Sequence, residues 1–409
     1  MGLTAKAEPD NVLEGESIVC FAGEDWWYHH PHSKNHLLKR YARRNKVLFV
    51  NSISMGLPSM ASPDFFLKIR RKLRSYTRWL RKVPEGLWVM TPVNVPLYGS
   101  RIGRWLNRVL LTVQLRVAML LLRISRPILW VAIPTAAEMA GRLGEKLLLY
   151  QVSDKYDANE DSALSAHVIR SYDRQLKDTA DVVMYSGRKL FSEATETNRF
   201  FLEQAVDFEH FSRLQGEPAP ELDGIPHPIL GYFGTMDYVM DTELMGEVAR
   251  LRPIWHWVLL GLKSNLVQIS APNIHFLGSK PYGELPPYIG QFDVCVLPWR
   301  ETNTFTSYGS AIKVREYLAT GKPVVMAPLY EYLQTPGLRF YRGTEEFIAQ
   351  VEAAMAMDTP ALATQRQAVV KDGTWDERAS QLAALINSLL RGQRYSHLSP
   401  ELHPLPEGH

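Results

Sequence analysis

Leu297–Val325, LPWRETNTFTSYGSAIKVREYLATGKPVV, holds one full period of an α/β fold. An apolar strand ends at Pro298, a polar loop of Thr, Asn and Ser follows, and an amphipathic segment then leads through Gly321 and Pro323 into a second apolar run. Short apolar runs alternating with helical periodicity are the pattern of βαβ units and a parallel sheet. Ser310 is placed to cap the helix, and the helix carries Lys313 and Glu316 three residues apart, hence on one face. In open α/β sheets, ligands bind beyond the carboxyl ends of the strands, where free N–H groups at a helix start attract phosphate. If that face looks toward the strand ends, Lys313 neutralises a diphosphate, and Glu316, one turn deeper, accepts hydrogen bonds from ribose hydroxyls. A solvated Lys313–Glu316 ion pair is the alternative.

The same alternation extends outward in both directions. In the first half, strands are expected at Ile18–Ala22, Val47–Asn51, Leu87–Met90, Ile128–Ile133, Leu147–Val152 and Val182–Tyr185, with helices around Asn35–Arg44, Arg104–Ile124, Ala163–Asp178 and Gly187–Glu196. A second series starts at Ile229–Phe233 and runs through Trp255–Leu260, Ile274–Leu277, Val294–Leu297, Pro323–Met326 and Arg339–Tyr341. Its helices fall around Thr242–Leu251, Glu284–Gln291, Ala311–Ala319 and Glu345–Met357. The segment SRLQGEPAPELDGIPHP between the series is rich in Pro and polar residues, as a linker would be. We therefore expect domains at 1–217 and 229–374 joined by 218–228, with a last amphipathic helix in 375–400 packing back on the first. After the strand Ile229–Phe233, Gly234 and Thr235 in GYFGTMD can bring backbone close to a ligand, although a plain turn fits equally well.

The chain has 409 residues, 46% hydrophobic and 22% charged, which suits two ordinary globular domains and excludes a disordered, collagen-like or disulfide-built protein. Its cysteines, Cys20 and Cys295, each sit in an apolar run and read as buried thiols in a reducing compartment. The opening MGLTAKAEPDNVLEGES carries acids and no apolar stretch, so no secretory signal is expected. Leu106–Ile133 is broken by four arginines and falls short of the roughly 20 apolar residues of a spanning helix.

NIHFLGSKPYGELPPYIGQFDVCVLPW followed by SAIKVREYLATGKPVV resembles the donor half of GT-B glycosyltransferases that build bacterial polysaccharides of the teichuronic-acid and capsule type. GYFGTMDYVMDTELMGEVA resembles the start of that half, and FLEQAVDFEHF (Phe201–Phe211) a stretch near the end of the first domain. The resemblance extends roughly from Glu16 to Leu390 and is most specific between Gly231 and Pro328. It implies two Rossmann-like doubly wound domains facing each other across a cleft, and a nucleoside-diphosphate sugar, UDP-linked, as donor. It further implies that Lys313 contacts the diphosphate and Glu316 the ribose. Many retaining members carry a glutamate eight positions before the one matching Glu316, where this chain has Tyr308. The lysine-containing version is closer to xanthan-type glucuronosyltransferases, which invert configuration. The polar loop with Thr306, Ser307 and Tyr308, together with Gly234, Thr235 and Ser310, is expected to surround the donor.

Transfer needs the diphosphate stabilised as a leaving group and, for inversion, a base for the acceptor hydroxyl. The helix start and Lys313 meet the first need without a metal or other cofactor, and no DxD-type pair stands on a strand-end loop. For the base, LLLYQVSDKYDANED puts Asp154 directly after a buried strand, at the position that matches the base of the xanthan-type enzymes. Capping of a turn is the alternative role, and Asp157 is a poorer candidate. The loop GEDWWYHHPHSKNH holds four of the twelve histidines and two adjacent tryptophans. We read Trp26, Trp27, His29 and His30 as acceptor-binding, with loop packing as the alternative and metal ligation disfavoured by spacing.

Between Phe65 and Arg126 stand 14 basic residues and one acid, Glu85, so this window carries about +13 within a total of +3. The run FFLKIRRKLRSYTRWLRK (Phe65–Lys82) spaces its aromatics helically between cations, which suits an anionic membrane surface. The helix around Arg104–Ile124 extends the same surface on one reading, so that the membrane contact covers 65–126, although its all-round apolarity is more simply that of a core helix. No nucleic-acid-binding signature accompanies the charge. The expected protein is a glycosyltransferase at the inner face of the cell membrane with a lipid-linked glycan acceptor. A sugar-nucleotide epimerase and a non-catalytic adaptor are the rivals.

Overall fold

A computed structural model describes residues 11–27, 30–52, 79–95, 100–158, 166–214, 218–300 and 304–393, plus isolated positions between 70 and 77. Two compact units result, Met1–Glu203 with Arg378–His409 and Gln204–Glu377. The division falls at Glu203/Gln204, ahead of the proline-rich stretch. Ala219 and Leu222 of that stretch are buried in the core of the second unit.

The first unit is built on eight strands: β1 (Ser17–Phe21), β2 (Lys46–Val50), β3 (Leu80–Lys82), β4 (Trp88–Met90), β5 (Ile128–Val131), β6 (Leu147–Val152), β7 (Val182–Tyr185) and β8 (Arg199–Phe201). Their order is β3-β4-β2-β1-β5-β6-β7-β8, and all pairs are parallel except β3 against β4. Strands β5 and β6 are buried along their whole length, as continuous apolar runs in a parallel sheet must be. The one amide among them is used as a tie. Gln151 donates to Ser33 Oγ at 3.1 Å and Ser186 Oγ at 3.0 Å and accepts from Trp130 Nε1 at 3.1 Å. That arrangement fixes the start of the helix Ser33–Tyr41 against the ends of the central strands.

Two expectations for the basic window need correction. Leu80–Lys82 is an edge strand, so helical spacing does not persist to Lys82; most of Phe65–Arg78 lies outside the described residues. The helix Arg101–Leu121 buries Leu111, Leu115 and Ala118 on one side, but its other side is exposed, with Ile102 at 79% and Leu120 at 77%. It is not a core helix.

The second unit holds β9 (Ile229–Phe233), β10 (His256–Leu260), β11 (Ile274–Gly278), β12 (Val294–Leu297), β13 (Val324–Met326) and β14 (Leu338–Phe340). Its all-parallel order, β11-β10-β9-β12-β13-β14, is the doubly wound dinucleotide-type arrangement. The winding reverses between β9 and β12, so the ends of those two strands flank the crevice such sheets use for ligands. A helix at Pro360–Val370, capped by Thr359, was not legible in the periodicity. From Arg378 onward the helix Trp375–Leu390 belongs to the first unit, where Ala379 O accepts from the Tyr41 hydroxyl at 2.9 Å and Asn387 donates to Val12 O at 2.8 Å. Among the described residues no helix is long and apolar enough to cross a membrane.

Candidate active site

At the reversal point of the second unit, three strand ends and one helix start converge. β9 passes into Gly234 at φ +130° and β10 into Gly261 at φ +141°, and the Gly234 N–H donates to Leu260 O at 2.8 Å. A Cβ on Gly261 would lie 2.0 Å from Gly234 O, so only glycine permits this approach. Beyond β12, Trp299 is anchored by Arg300, whose N–H donates to Val239 O at 2.8 Å.

The helix Ile312–Thr320 begins against these ends. Lys313, on its first turn, donates to Tyr232 Oη at 2.9 Å, and that hydroxyl donates onward to Thr235 O at 2.8 Å. The ammonium also stands 4.6 Å from the Tyr232 ring centre and 5.1 Å from that of Trp299, so two aromatic faces hold it at the crevice. Phe233 N–H donates to Tyr317 Oη at 3.1 Å, which locks the helix to β9.

Lys313 and Glu316 are not a solvated pair. Glu316 is only 4% exposed, and burial pushes its carboxyl up to about 7, against a hydrogen bond from Tyr282 and the attraction of Lys313, with Asp207 adding to the rise. Tyr282 in turn stacks on His210 at 5.0 Å and meets Phe211 edge-on at 5.4 Å. From Gln204 onward the FLEQAVDFEHF stretch thus belongs with this site in the second unit, while Phe201–Glu203 stay with the first.

Ser310 does not cap the helix. Its N-cap is Ala311, which offers no side-chain oxygen, and the first turn holds no acid. The Ser310 hydroxyl and the Trp299 indole N–H are buried and have no hydrogen-bond partner among the described residues. An uncapped helix start, a cation and two unused polar atoms at one place form a receptor for an anionic, hydrogen-bonding ligand. Thr306, 1% exposed, donates to Arg300 O at 3.0 Å and ties the loop down. Ser307 donates to Thr304 O at 2.8 Å, Tyr308 is half-buried, and Thr235 is exposed.

In the first unit, Asp154 follows β6 and is half-buried. Burial raises its carboxyl above the usual carboxylate range; Lys34 opposes the rise and Glu24 adds to it. Lys34 and Glu24 form a buried pair at 3.2 Å. Neither was singled out from the sequence. Trp26 packs edge-on against Phe49 at 5.0 Å with Lys39 5.3 Å from its ring centre, and its N–H donates to Asn51. Trp27 N–H donates to Asp25 at 2.9 Å, His30 is half-buried, and His29 and Phe65–Lys68 lie outside the described residues. Among the described residues no cluster of three or more His, Cys, Asp or Glu is placed to hold a metal ion.

Residues 227–353 match the family model described as glycosyl transferases group 1. The chain is 25% identical over 223 residues to TuaH of Bacillus subtilis, named as a teichuronic acid biosynthesis glycosyltransferase, a match covering 49% of this chain and 55% of TuaH. The chain thus spans about half the length of the curated relative it matches. Sucrose-phosphate synthase of Thermosynechococcus elongatus superposes with a TM-score of 0.68 at 14% identity, covering 92% of this chain and all of that one. HepE of Anabaena, solved with UDP and glucose, superposes with a TM-score of 0.63 at 12% identity over 91% of this chain and 99% of that one. The chain has the GT-B fold, and its second unit carries a group 1 glycosyl transferase domain.

Proposed function

We propose that this protein is a glycosyltransferase that moves a sugar from a UDP-linked donor onto a lipid-linked or growing polysaccharide acceptor at the inner face of the cell membrane, without a metal ion. The observation that carries the proposal is the placement of Lys313 and Glu316 at an uncapped helix start on the reversal point of the second sheet, inside the matched segment. Glu316 accepts from the ribose hydroxyls. The helix N-terminus and Lys313 face the diphosphate and stabilise the charge that develops on it as the glycosidic bond breaks. UDP as the nucleotide is supported by its presence in the HepE structure of the same fold.

The first unit supplies the acceptor side. Asp154 removes the proton from the acceptor hydroxyl as it attacks the anomeric carbon, and the raised carboxyl suits a base that must be neutral once it has taken that proton. Trp26, Trp27, His29 and His30 contact the acceptor. The polysaccharide acceptor is supported by the likeness to TuaH. The test is a screen of nucleotide sugars for release of nucleoside diphosphate in the presence of bacterial lipid extract. Labelled sugar appearing in the lipid fraction supports the proposal, and an epimerised donor with no transfer overturns it.

A further inference from the structure

The helix Arg101–Leu121 presents a face that the core does not use. Its repeat of 3.6 residues per turn brings Ile102, Leu106, Val109, Val113, Val117 and Leu120 onto one stripe, all of them exposed. Trp105, 55% exposed, borders it. Large exposed apolar patches on a folded surface mark interaction sites.

The outward orientation is built in. On one flank, Asn107 exchanges two hydrogen bonds of 2.6 Å with the backbone of Val95, and Gln114 exchanges two, at 2.9 and 2.7 Å, with that of Val93. Two amide clamps one heptad apart, with Leu111, Leu115 and Ala118 buried beneath, fix the rotation of the helix about its axis. The stripe cannot turn inward without breaking both.

The charge around the stripe says what covers it. The helix holds Arg101, Arg104, Arg108 and Arg116 and no acid. Just past its end come Arg123 and Arg126, both exposed and both in the left-handed region, at φ 52° and 46°, where glycine is favoured. Arginine at two such positions keeps positive charge beside the exposed Leu120 and Leu121 at a conformational cost. At the other end, Ile102, Arg104, Trp105 and Arg108, with Glu138 opposite, line a cavity of about 410 Å³ that could admit an anionic headgroup. An apolar ridge bordered by tryptophan and arginine is the composition of a helix lying in a lipid interface.

We propose that the helix Arg101–Leu121 lies in the plane of an anionic bilayer surface, with the Ile102–Leu120 stripe among the acyl chains and the arginines at the phosphates. This deepens the lipid-linked acceptor reading, on which its biological purpose rests. It also narrows the membrane contact expected over 65–126 to a helix with a defined exposed face.

The test uses the full chain with vesicles of phosphatidylcholine alone or mixed with phosphatidylglycerol. Wild-type protein should sediment with the mixed vesicles at low salt. Ile102→Glu/Val113→Glu/Leu120→Glu, three changes at exposed positions, should lower partitioning on the order of a hundredfold. Brominated lipid should quench the fluorescence that Trp105→Phe removes. Equal partitioning of wild type and triple variant overturns the proposal, as does a wild-type dimer that the triple variant dissolves while vesicle binding is absent. Thermal stabilisation by UDP, read on the same samples, separates the two ideas: vesicle binding without any nucleotide response would leave this helix assignment standing and remove the transferase reading.

Discussion

A Cβ placed on Gly234 would lie 2.3 Å from Lys313 Nζ. The glycine just past β9 and the lysine on the first turn of the helix Ile312–Thr320 are therefore in close contact, and the ammonium reaches Tyr232 only because position 234 has no side chain.

Gly234→Ala is expected to act twice. At φ +130° it strains the backbone by about 1–3 kcal/mol, and it displaces the ammonium from Tyr232. The melting temperature should fall by several degrees and UDP affinity by on the order of tenfold. Calorimetric titration on protein shown to be folded by circular dichroism checks both.

Lys313→Met retains the stem that packs beside Tyr232 and Trp299 but removes the charge. With the electrostatic stabilisation of the departing diphosphate gone, kcat should drop by on the order of 10²–10³-fold, with little change in stability. Donor turnover assayed alongside thermal unfolding measures this directly.

If Glu316 holds the ribose as proposed, donor binding should be pH-dependent. The carboxyl at about 7 is protonated in slightly acidic solution, yet ribose hydroxyls require it ionised. UDP binding should therefore release a proton, and affinity should fall up to about tenfold per pH unit below about pH 7. Stability runs the other way. Because the folded value lies above the ordinary 4.5, protonation favours the folded state, a contribution of about 3 kcal/mol that is whole below pH 4.5 and lost as pH rises through about 7. Glu316→Gln should flatten both profiles, as seen by titration in buffers of different ionisation enthalpy and by denaturant melts.

Asp154→Asn should reduce transfer by on the order of 10²–10⁴-fold while leaving UDP affinity unchanged, since the residue lies in the other unit from Lys313. With a base of raised pKa, wild-type kcat should rise with pH through the range where that carboxyl ionises. The anomeric configuration of the product, read by NMR, should be inverted; a retained configuration would remove Asp154 from the chemical step.

The strands were legible because buried parallel strands are continuous apolar runs, as VCVL and ILWV are. The shared face of Lys313 and Glu316 followed from helical repeat alone. What periodicity does not encode is which tertiary neighbour wins. Ser310 has the chemistry of a cap, yet the N-cap position falls one residue later, at Ala311, and the hydroxyl is left for another partner. The aromatic faces around Lys313 come from β9 and from the loop after β12, distant in sequence. The Glu24–Lys34 pair depends on how a loop folds back on a helix start. The helix Arg101–Leu121 reads as apolar on all sides, and only the structure shows which side is covered. Three residues, as in Leu80–Lys82, are too few for any period to declare itself.

The most direct measurement is calorimetric titration of UDP into the wild-type protein and into Lys313→Met/Glu316→Gln. Saturable binding by wild type, weakened on the order of a hundredfold in the double variant, is the predicted result. Absence of binding by wild type, or equal affinity in the two proteins, would contradict a nucleotide site at the start of the helix Ile312–Thr320.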